Sequence, residues 1–407
     1  MASTIQSDAP IPKTLMVTWG FPPVTLGSSQ IAAGLARQFN FDEMVVAAEK
    51  WPGLDRNNWD DEGGKKPKVY FIHKQWPWKF KKTTRLLLMP IVLWRLMRVF
   101  KQSKAKQVLA MFPDEYYLFL SWLITRWYRV PLYSYLHNTY LENRTGIKKI
   151  FANWLQPKVF RDSQVVFVMS EGMENALTPN NPSIQFVPLV HTFEQLPVPL
   201  HEIPVINRNF RLAFMGSLNN SNREAFSRIA GVLRHFPDCS FTTYSENTAG
   251  DFASIGIRAK SLTHTRVAFD EVVDALRKHD LLFFPHGFQG GLKEIEYQTI
   301  FPTRTTPYLL SGIPIIAHSP PNAFLTQWLR KHDCAEVVDV PDEAALIAAI
   351  ENLIKNPSRC RELSENAQHA AHMFYGPEVI RELKSRLSGQ LNSAWSKNSS
   401  MATKVKS

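Results

Sequence analysis

The sequence has few cysteines and no long apolar run, and each absence excludes a class of protein. The three cysteines among 407 residues, Cys239, Cys334 and Cys360, have no metal-ligand spacing and leave an odd thiol if two pair, which favours a reducing compartment. The longest apolar stretches, 86–94 and 116–124, are shorter than the roughly 20 residues that a membrane-spanning helix needs. We therefore expect neither a disulfide framework nor a transmembrane span.

The first residues also lack the apolar region of a signal peptide, because residues 1–13 are polar and contain prolines. This pattern predicts a cytoplasmic protein. The chain of 407 residues with 44% hydrophobic content is too long for one ordinary core. It predicts two well-packed domains of about 150–200 residues each.

Acidic residues are missing from a long internal interval. Between Glu62 and Asp114 there is no carboxylate, whereas this interval contains 13 lysines and arginines. The cations are Lys65, Lys66, Lys68, Lys74, Lys79, Lys81, Lys82, Arg85, Arg95, Arg98, Lys101, Lys104 and Lys106, and they alternate with Trp76, Trp78, Phe80 and Trp94. The formal charge of the whole chain is +11, with a pI near 9.5. A basic, tryptophan-bearing surface suits the headgroup layer of an anionic membrane, so we expect peripheral attachment to its inner face.

A second interpretation of this interval stays open. Residues 85–101 predict a helix, kinked or started at Pro90, whose apolar stripe packs on a sheet while its cations simply face water. Nucleic acid is not expected as a partner, because no recognised nucleic-acid-binding module accompanies the basic residues.

The N-terminal half has the pattern of a doubly wound α/β domain. A strand at 14–19 precedes a loop containing Gly27 and Ser28 and a helix at about 30–39, without the dinucleotide fingerprint. Further strands are predicted at 44–48, 107–112, 131–136 and 165–169, and helices at 114–128 and 148–160. His137 and Asn138 follow a central strand, where ligands of such sheets bind. Ser170 is predicted to cap a helix, with Met173 packed beneath it.

The C-terminal half repeats this pattern. A strand at 210–215 precedes a loop containing Gly216 and Ser217 and a helix from Arg223 to about 236, and another strand at 281–284 precedes His286. Thr303 and Arg304 precede a helix that Gly312 stops, and a strand at 313–317 follows. We predict domains at 1–195 and 196–376 with an irregular, proline-containing connection at 188–204. A helix at 377–393 is expected to cross back to the first domain, and a tail at 394–407 to be disordered.

One segment carries a family resemblance. Pro302-Thr303-Arg304, followed by Tyr308-Leu309-Leu310-Ser311-Gly312-Ile313-Pro314-Ile315-Ile316-Ala317, resembles the donor-site segment of family-4-type retaining glycosyltransferases. The resemblance implies the GT-B fold, in which two Rossmann-like domains face each other across a cleft. It also implies that a nucleotide-sugar is the donor substrate.

The resemblance implies roles for the residues at the strand ends. His137 matches a histidine that reaches the donor sugar and is the catalytic candidate, with a hydrogen-bonded structural histidine as the other explanation. Asn138 replaces the family's aspartate. The implied donor-phosphate contacts are Gly27, Ser28, Gly216, Ser217, Arg223, Thr303 and Arg304. At Gly27 and Ser28, the requirement of a tight strand-to-helix turn for small residues is an equally good explanation.

The sequence departs from the family at two donor-site glutamates, whose positions fall on Thr299 and Pro307. Neither residue replaces a carboxylate. Glu294 and Glu296 lie nearby and are, with His286 and Asn138, candidates for contacting the donor sugar or nucleoside; simple solvation of two loop glutamates is the other explanation.

Together these features predict a hexosyltransferase-like enzyme that transfers sugar, with retention, to a glycan or lipid-linked acceptor, such as a cell-surface polysaccharide intermediate. No Asp-x-Asp metal motif is present, and no cofactor is expected. Two alternatives remain. Loss of the glutamates favours an inactive, membrane-bound binding or regulatory protein, and an epimerase of the same architecture is disfavoured by the lack of a matching set of catalytic carboxylates.

Overall fold

The computed structural model describes residues 10–24, 27–51, 59, 65–74, 81–198, 205–257, 262–268, 271–289 and 293–389. Several features predicted above lie outside these residues: Trp76, Trp78 and Phe80 of the basic interval, part of the connection at 188–204, the last residues of the crossing helix and the tail. The described chain divides into two compact units, and each of them is built on one parallel sheet.

The first unit contains the described residues of Met1–Val168, Asn181–Thr192 and Gly376–Ser407. Its sheet has seven strands in the order β3-β2-β1-β4-β5-β6-β7. The strands are β1 (Thr14–Val17), β2 (Met44–Lys50), β3 (Lys68–Lys74), β4 (Gln107–Phe112), β5 (Leu132–Leu136), β6 (Ser163–Val168) and β7 (Phe186–Pro188). The helices are α1 (Gly27–Ala36), α2 (Lys81–Leu87), α3 (Met89–Ser103), α4 (Glu115–Tyr128), α5 (Gly146–Asp162) and, near the C-terminus, α16 (Gly376–Leu387).

The second unit contains Met169–Asn180 and the described residues of Phe193–Tyr375. Its sheet has six strands in the order β10-β9-β8-β11-β12-β13. The strands are β8 (Arg211–Met215), β9 (Ser240–Tyr244), β10 (Leu262–Thr265), β11 (Leu281–Pro285), β12 (Ile315–His318) and β13 (Glu336–Val338). The helices are α6 (Glu171–Leu177), α7 (Arg223–Ser227), α8 (Ile229–His235), α9 (Ala249–Ala253), α10 (Val272–Leu276), α11 (Glu294–Thr299), α12 (Thr305–Ser311), α13 (Phe324–Lys331), α14 (Glu343–Lys355) and α15 (Pro357–Ala371).

Local sequence signals set several element boundaries. Asp114 caps α4 by accepting hydrogen bonds from the backbone N–H groups of Tyr116 and Tyr117, at 3.0 and 3.2 Å. Ser170 caps α6 as predicted, because its hydroxyl accepts the N–H of Met173 at 3.1 Å. Gly312 ends α12 in the left-handed conformation, with φ of 71°, which favours glycine. The predicted α/β pattern is therefore confirmed in both units.

The sheet order places the outer helices of the first unit. The connections through α3, α4 and α5 all advance along the sheet in one direction, from β3 toward β6. Right-handed crossovers therefore put these three helices on one face of the sheet. α1 connects strands in the opposite direction and packs with α16 on the other face. Among the residues described, no helix combines the length and apolar character needed to cross a membrane.

The basic interval contains more structure than the sequence predicted. Residues Lys68–Lys74 form β3, and the predicted helix at 85–101 is two helices separated at Leu88, with Pro90 in the first turn of α3. Arg85 does not belong to an exposed basic surface. Its side chain is only 13% exposed, and its guanidinium pairs with Glu49 and with Asp114, each at 2.7 Å. Both carboxylates lie outside the acid-free interval, so counting charges within that interval does not reveal that they neutralise this cation.

The structure also divides the chain differently from the prediction, which placed a single boundary after residue 195. The chain passes between the units after Val168, after Asn180, after Thr192 and after Tyr375. α16 belongs to the first unit, where Lys384 pairs with Glu43 at 3.1 Å and the carbonyl of Leu387 accepts the side-chain amide of Gln107 at 3.0 Å.

Candidate functional site

The second unit has its topological switch point between β8 and β11, whose crossover connections leave in opposite directions. Ligands of doubly wound sheets bind at the carboxyl edge beside this point. Here the loop after β8 begins with Gly216, and the loop after β11 begins with His286. Three of the predicted site residues, Gly216, His286 and Arg304, lie together at this edge.

Gly216 allows Arg304 to lie directly on the loop after β8. The glycine has a φ of 119°, a conformation that other residues rarely adopt, and a Cβ atom there would lie 3.2 Å from Cζ of Arg304. The guanidinium also lies over the rings of Phe214 and Phe284, with Cζ at 5.0 and 5.9 Å from their centroids. An aromatic and backbone cradle therefore fixes this cation.

The charge of Arg304 has no counter-ion in the described part of the chain. Its Nη1 is buried and makes no hydrogen bond, and no described carboxylate pairs with it. Burial lowers the pKa of Arg304, and the nearby Tyr308 opposes this only in part. Buried cations are normally paired, because desolvation is costly. An unpaired arginine at a ligand-binding edge is therefore the strongest sign of an anion site in this unit.

Tyr308 connects the two strands at the switch point. Its hydroxyl donates to the carbonyl of Phe283 on β11 at 3.0 Å and accepts the N–H of Met215 on β8 at 2.9 Å. Burial raises the pKa of Tyr308 to about 12, so the hydroxyl stays protonated. One side chain of α12 thus bridges the ends of the two strands at the switch point and positions Arg304, which precedes the same helix.

His286 adds a neutral imidazole to the same edge. Its Nε2 is buried and makes no hydrogen bond to a described residue, and its ring meets Tyr297 edge to face at 5.2 Å. Burial and, secondarily, the charge of Arg304 lower the pKa of His286 to about 3. The ring therefore offers an uncharged hydrogen-bonding group, in keeping with its prediction as a sugar or nucleoside contact.

The two candidate glutamates are not in an irregular loop. Both lie on α11, and they differ in environment: Glu294 is exposed and accepts a hydrogen bond from Gln298 at 3.3 Å, whereas Glu296 is 4% exposed. The expectation of two solvated loop carboxylates is therefore wrong for Glu296, because two residues along a helix turn a side chain by about 200°, which points Glu296 inward. Thr299, at a position where the family has glutamate, donates its hydroxyl to the carbonyl of Ile295 at 2.8 Å.

The remaining predicted phosphate contacts of this unit differ in their exposure to solvent. Ser217 is exposed, and Thr303 is half-buried in the turn before α12. Arg223 is exposed at the start of α7 and donates to the hydroxyl of Ser254 at 2.8 Å. Asn222, which precedes it, is buried and donates to the carbonyl of Ser217 at 2.9 Å, so it shapes the loop.

Sequence reasoning missed a polar cluster next to these loops. Arg228 pairs with Glu224, approaches Nε2 of His318 at 3.3 Å and lies over the ring of Phe288 at 5.3 Å. Glu224 also accepts the N–H of Phe288 at 2.9 Å, which holds the loop after β11. The signal was present as a Glu-Arg pair spaced i, i+4 at the start of a helix, together with a histidine ending a strand.

In the first unit, His137 follows β5 and is 3% exposed, so its ring belongs to the core. Its ring meets Tyr135 edge to face at 4.4 Å, and neither ring nitrogen bonds to another described residue. Burial, and secondarily His191, lowers its pKa to about 3. Asn138 is half-buried beside it. Gly27 and Ser28 begin α1, where Gly27 is exposed and Ser28 half-buried.

A separate cavity of about 490 Å³ lies in the second unit among α6, α11 and α13. Its lining includes Asn175, Gln298, Asn322 and Trp328, but none of the predicted site residues. We place the candidate site at Arg304 rather than here, because that edge combines the switch point with a cation whose buried Nη1 has no described partner. Within the described ranges, no group of His, Cys, Asp or Glu side chains is arranged to hold a metal ion.

Solved structures show what the fold resembles. HepE from Anabaena, solved in complex with UDP and glucose, matches with a TM-score of 0.69 and 15% identity, over 93% of this chain and 99% of that chain. Sucrose-phosphate synthase from Thermosynechococcus elongatus matches with a TM-score of 0.68 and 11% identity, over 94% of this chain and 100% of that chain. A glycosyltransferase from Rickettsia africae matches with a TM-score of 0.62 and 11% identity, over 94% and 100%.

Sequence comparison adds nothing to these likenesses, because no protein-family profile and no curated protein matches the chain. The likeness is one of architecture, at identities far below those at which function carries over. Two parallel-sheet α/β units of seven and six strands, matched along nearly the whole chain, give this protein the fold of the GT-B glycosyltransferases.

Proposed function

We propose that this protein is a glycosyltransferase that takes a sugar from a nucleoside diphosphate donor and transfers it to an acceptor. The observation that carries the proposal is the half-buried guanidinium of Arg304 against Gly216, at the switch point of the second sheet, with its Nη1 buried and unpaired among the described residues. A diphosphate supplies the negative charge that this cation lacks. UDP is the first nucleotide to test, because HepE, of similar fold, was solved with it.

The chemistry follows from this placement. When the bond from the anomeric carbon to the diphosphate breaks, negative charge grows on the departing phosphate oxygens. A guanidinium that is already desolvated and held by Phe214 and Phe284 stabilises that charge without reorganising. Fixed electrostatic groups of this kind commonly supply a large share of rate enhancement. We assign this role to Arg304, with Thr303, Gly216 and Ser217 completing the phosphate contacts and Arg223 secondary.

The sugar and the nucleoside need polar contacts besides the phosphate. We propose that His286 and Glu296, both buried in the second unit, provide them, and that Glu294 does not, because it is exposed. Glu296 would then replace a carboxylate missing at Thr299 and Pro307. In the first unit we propose His137 and Asn138 as contacts to the donor sugar. The resemblance of the segment 302–317 to retaining enzymes supports retention at the anomeric carbon.

We further propose that the acceptor is a glycan or lipid-linked molecule and that the enzyme works at an anionic membrane surface. Support comes from the basic interval, in which Lys65, Lys74, Arg98, Lys101 and Lys104 are exposed. Arg85 does not contribute to this surface, because its charge is neutralised by ion pairs. The exposed cations keep the surface basic.

Calorimetric titration of the full chain with UDP, ADP and GDP tests the donor site. We expect one nucleotide to bind, and Arg304→Ala to weaken it by about 1.5–3 kcal/mol, the usual range for a hydrogen bond to a charged group. Lys278→Ala is the matched control, because it removes an exposed cation of the same unit. Equal affinity of the parent and Arg304→Ala would place the nucleotide elsewhere.

A second function, that of a donor-binding regulator without activity, is favoured by Thr299 and Pro307 at the family's glutamate positions. Hydrolysis of the bound nucleotide-sugar separates the two. Release of free sugar that Glu296→Gln abolishes would support the enzyme, whereas binding without turnover, even with membrane extract as acceptor, would favour the regulator.

A further inference from the structure

Helix α5 of the first unit carries two apolar stripes where a helix packed on a sheet needs one. The stripe that faces the core contains Ala152, Leu155 and Val159, which are all buried. The opposite stripe contains Ile147, Ile150, Phe151 and Trp154, at helical spacings of i, i+3, i+4 and i+7, and all four are exposed. Ile147 is 86% exposed and Ile150 70%. Surface helices normally present polar residues there.

The outer stripe of α5 packs against aromatic side chains of α4. Phe119 and Trp122 of α4 pack against it, with ring centroids of Phe119 and Phe151 at 5.8 Å and of Trp122 and Trp154 at 5.7 Å. Phe151 and Trp154 themselves stack at 5.7 Å. These contacts form an ordered aromatic platform whose outer surface stays uncovered in the described first unit.

A second exposed apolar patch lies on the same face of the sheet. It contains Leu86 and Leu87 at the end of α2 and Ile91 and Trp94 of α3, and Leu87 is 73% exposed. Because α3 and α5 run antiparallel to the strands, both begin at the carboxyl edge of the sheet. The patch at the start of α3 and the stripe at the start of α5 therefore both lie at the carboxyl edge, where His137 follows β5.

Charge decides which partner fits. Lys148 and Lys149 are exposed beside Ile147, and Nζ of Lys158 lies 4.9 Å from the ring of Trp154. The nearby carboxylates are engaged: Glu115 pairs with Arg144 at 3.2 Å, and Asp162 pairs with Arg161 at 3.0 Å. A second copy would bring like charges together. A bilayer with anionic headgroups provides hydrocarbon for the apolar residues and negative charge for the lysines.

We infer that the first unit docks on an anionic bilayer through the outer stripe of α5 and the Leu86–Trp94 patch, with the carboxyl edge of its sheet turned toward the lipid. This surface differs from the basic interval alone, because it inserts apolar side chains and fixes an orientation. The inference rests on the membrane attachment proposed above but not on the donor chemistry, so nucleotide binding and membrane docking can fail separately.

Flotation of the full chain with vesicles tests the surface. We expect binding to vesicles of phosphatidylglycerol and phosphatidylcholine, and a loss of at least about tenfold in the partition coefficient for Ile147→Ser/Ile150→Ser, since each change withdraws several methylene groups from the bilayer. Val340→Ser, which removes an exposed apolar side chain of the second unit, is the matched control and should bind as the parent. Unchanged nucleotide affinity and melting temperature establish that the double variant is folded.

Orientation is tested by labelling. The three native thiols are buried, so a cysteine introduced at an exposed position is the one that reacts. An environment-sensitive fluorophore on Ile150→Cys should shift to the blue on anionic vesicles. The same label on Trp127→Cys should not, because Trp127 is 76% exposed at the end of α4, on the same face but at the opposite edge.

Three results would overturn the inference. One is parental vesicle binding by Ile147→Ser/Ile150→Ser, and another is a blue shift at position 127 without one at 150. The third is concentration-dependent dimerisation of the parent that the double variant abolishes, without any vesicle binding, which would assign the face to a second copy of the chain.

Discussion

Arg304 is expected to affect binding and stability in opposite directions. Its guanidinium is half-buried, with Nη1 fully buried, and has no counter-ion among the described residues, so the folded protein bears a desolvation cost that an anionic ligand offsets. Replacement by the apolar Met removes that cost and keeps the contacts with Phe214 and Phe284. We expect Arg304→Met to leave the free energy of unfolding, measured with urea and without nucleotide, unchanged or raised, while nucleotide affinity falls. A stability loss above about 2 kcal/mol would instead identify a structural arginine.

Arg223 is expected to contribute less to nucleotide binding than Arg304. Sequence position alone suggests that Arg223 and Arg304 matter equally, but Arg223 is exposed and already donates to Ser254. Exposed charge contacts are screened by solvent, and most contribute less than about 1 kcal/mol. We therefore expect Arg223→Ala to weaken nucleotide binding less than Arg304→Ala in parallel titrations. Equal losses would mean that both cations hold the diphosphate.

His137 predicts a pH dependence of stability. Its pKa in the folded chain, about 3, lies below the ordinary value of 6.5. Between these two values the ring is protonated in the unfolded chain and neutral in the folded chain. The stability that depends on the neutral ring is present above about pH 6.5 and falls as the pH drops toward 3. Between pH 7.5 and 5.5 the loss is on the order of 1 kcal/mol for one buried histidine.

Urea unfolding at both pH values checks this prediction. His137→Leu should show a smaller loss than the parent, whereas His372→Gln, which changes an exposed histidine, should show the same loss. An identical pH dependence in His137→Leu would mean that the ring titrates normally in the folded state. Because the ring lies in the core, His137→Ala is expected to lower stability as well as turnover, unlike a ring at the surface.

At the scale of elements, the ion pairs of Arg85 join α2 to the end of β2 and to the start of α4. Glu49 on β2 is fully buried, and Arg85 is its bidentate partner, with Nη2–Oε2 at 2.7 Å. Breaking a buried pair from one side leaves an uncompensated charge. We expect Arg85→Met to lower the free energy of unfolding by about 3–5 kcal/mol.

The double variant Arg85→Met/Glu49→Leu should recover much of that loss, since it removes both charges of the Arg85–Glu49 pair and leaves only the more exposed Asp114. Arg98→Ala, which changes an exposed cation of α3, should stay within about 0.5 kcal/mol of the parent. If Arg85→Met were as mild as Arg98→Ala, solvent would have to reach Glu49, and Arg85 would return to the basic surface.

Element types were predictable where a short apolar run was bounded by turn residues. β4, β5, β8 and β11 fall on the predicted runs because each is buried on both faces and needs continuous apolar sequence. β3 was missed, because an edge strand with exposed lysines has no apolar run. The predicted helix from Arg223 to 236 is two helices, α7 and α8, separated at Arg228.

For the whole molecule, the charge of +11 predicts that membrane binding depends on salt. Exposed charges are screened over about 8–10 Å near physiological ionic strength. We expect flotation with anionic vesicles to fall steeply between low and high salt. Equal binding to neutral and anionic vesicles would remove the electrostatic contribution and leave the apolar stripe of α5 and the Leu86–Trp94 patch as the contacts.

The sequence by itself determined the two α/β units, the strand ends at which the site residues lie and the segment around Arg304, because each depends on local patterns along the chain. Only the tertiary structure decided which charges are compensated. Arg85 is neutralised by Glu49 and Asp114, and Arg304 has no described counter-ion. It also decided that Glu296 is buried and that Ile147 and Ile150 are exposed. Burial and pairing depend on neighbours distant in sequence, so residues of one type become buried, paired or exposed only after the sheets have assembled.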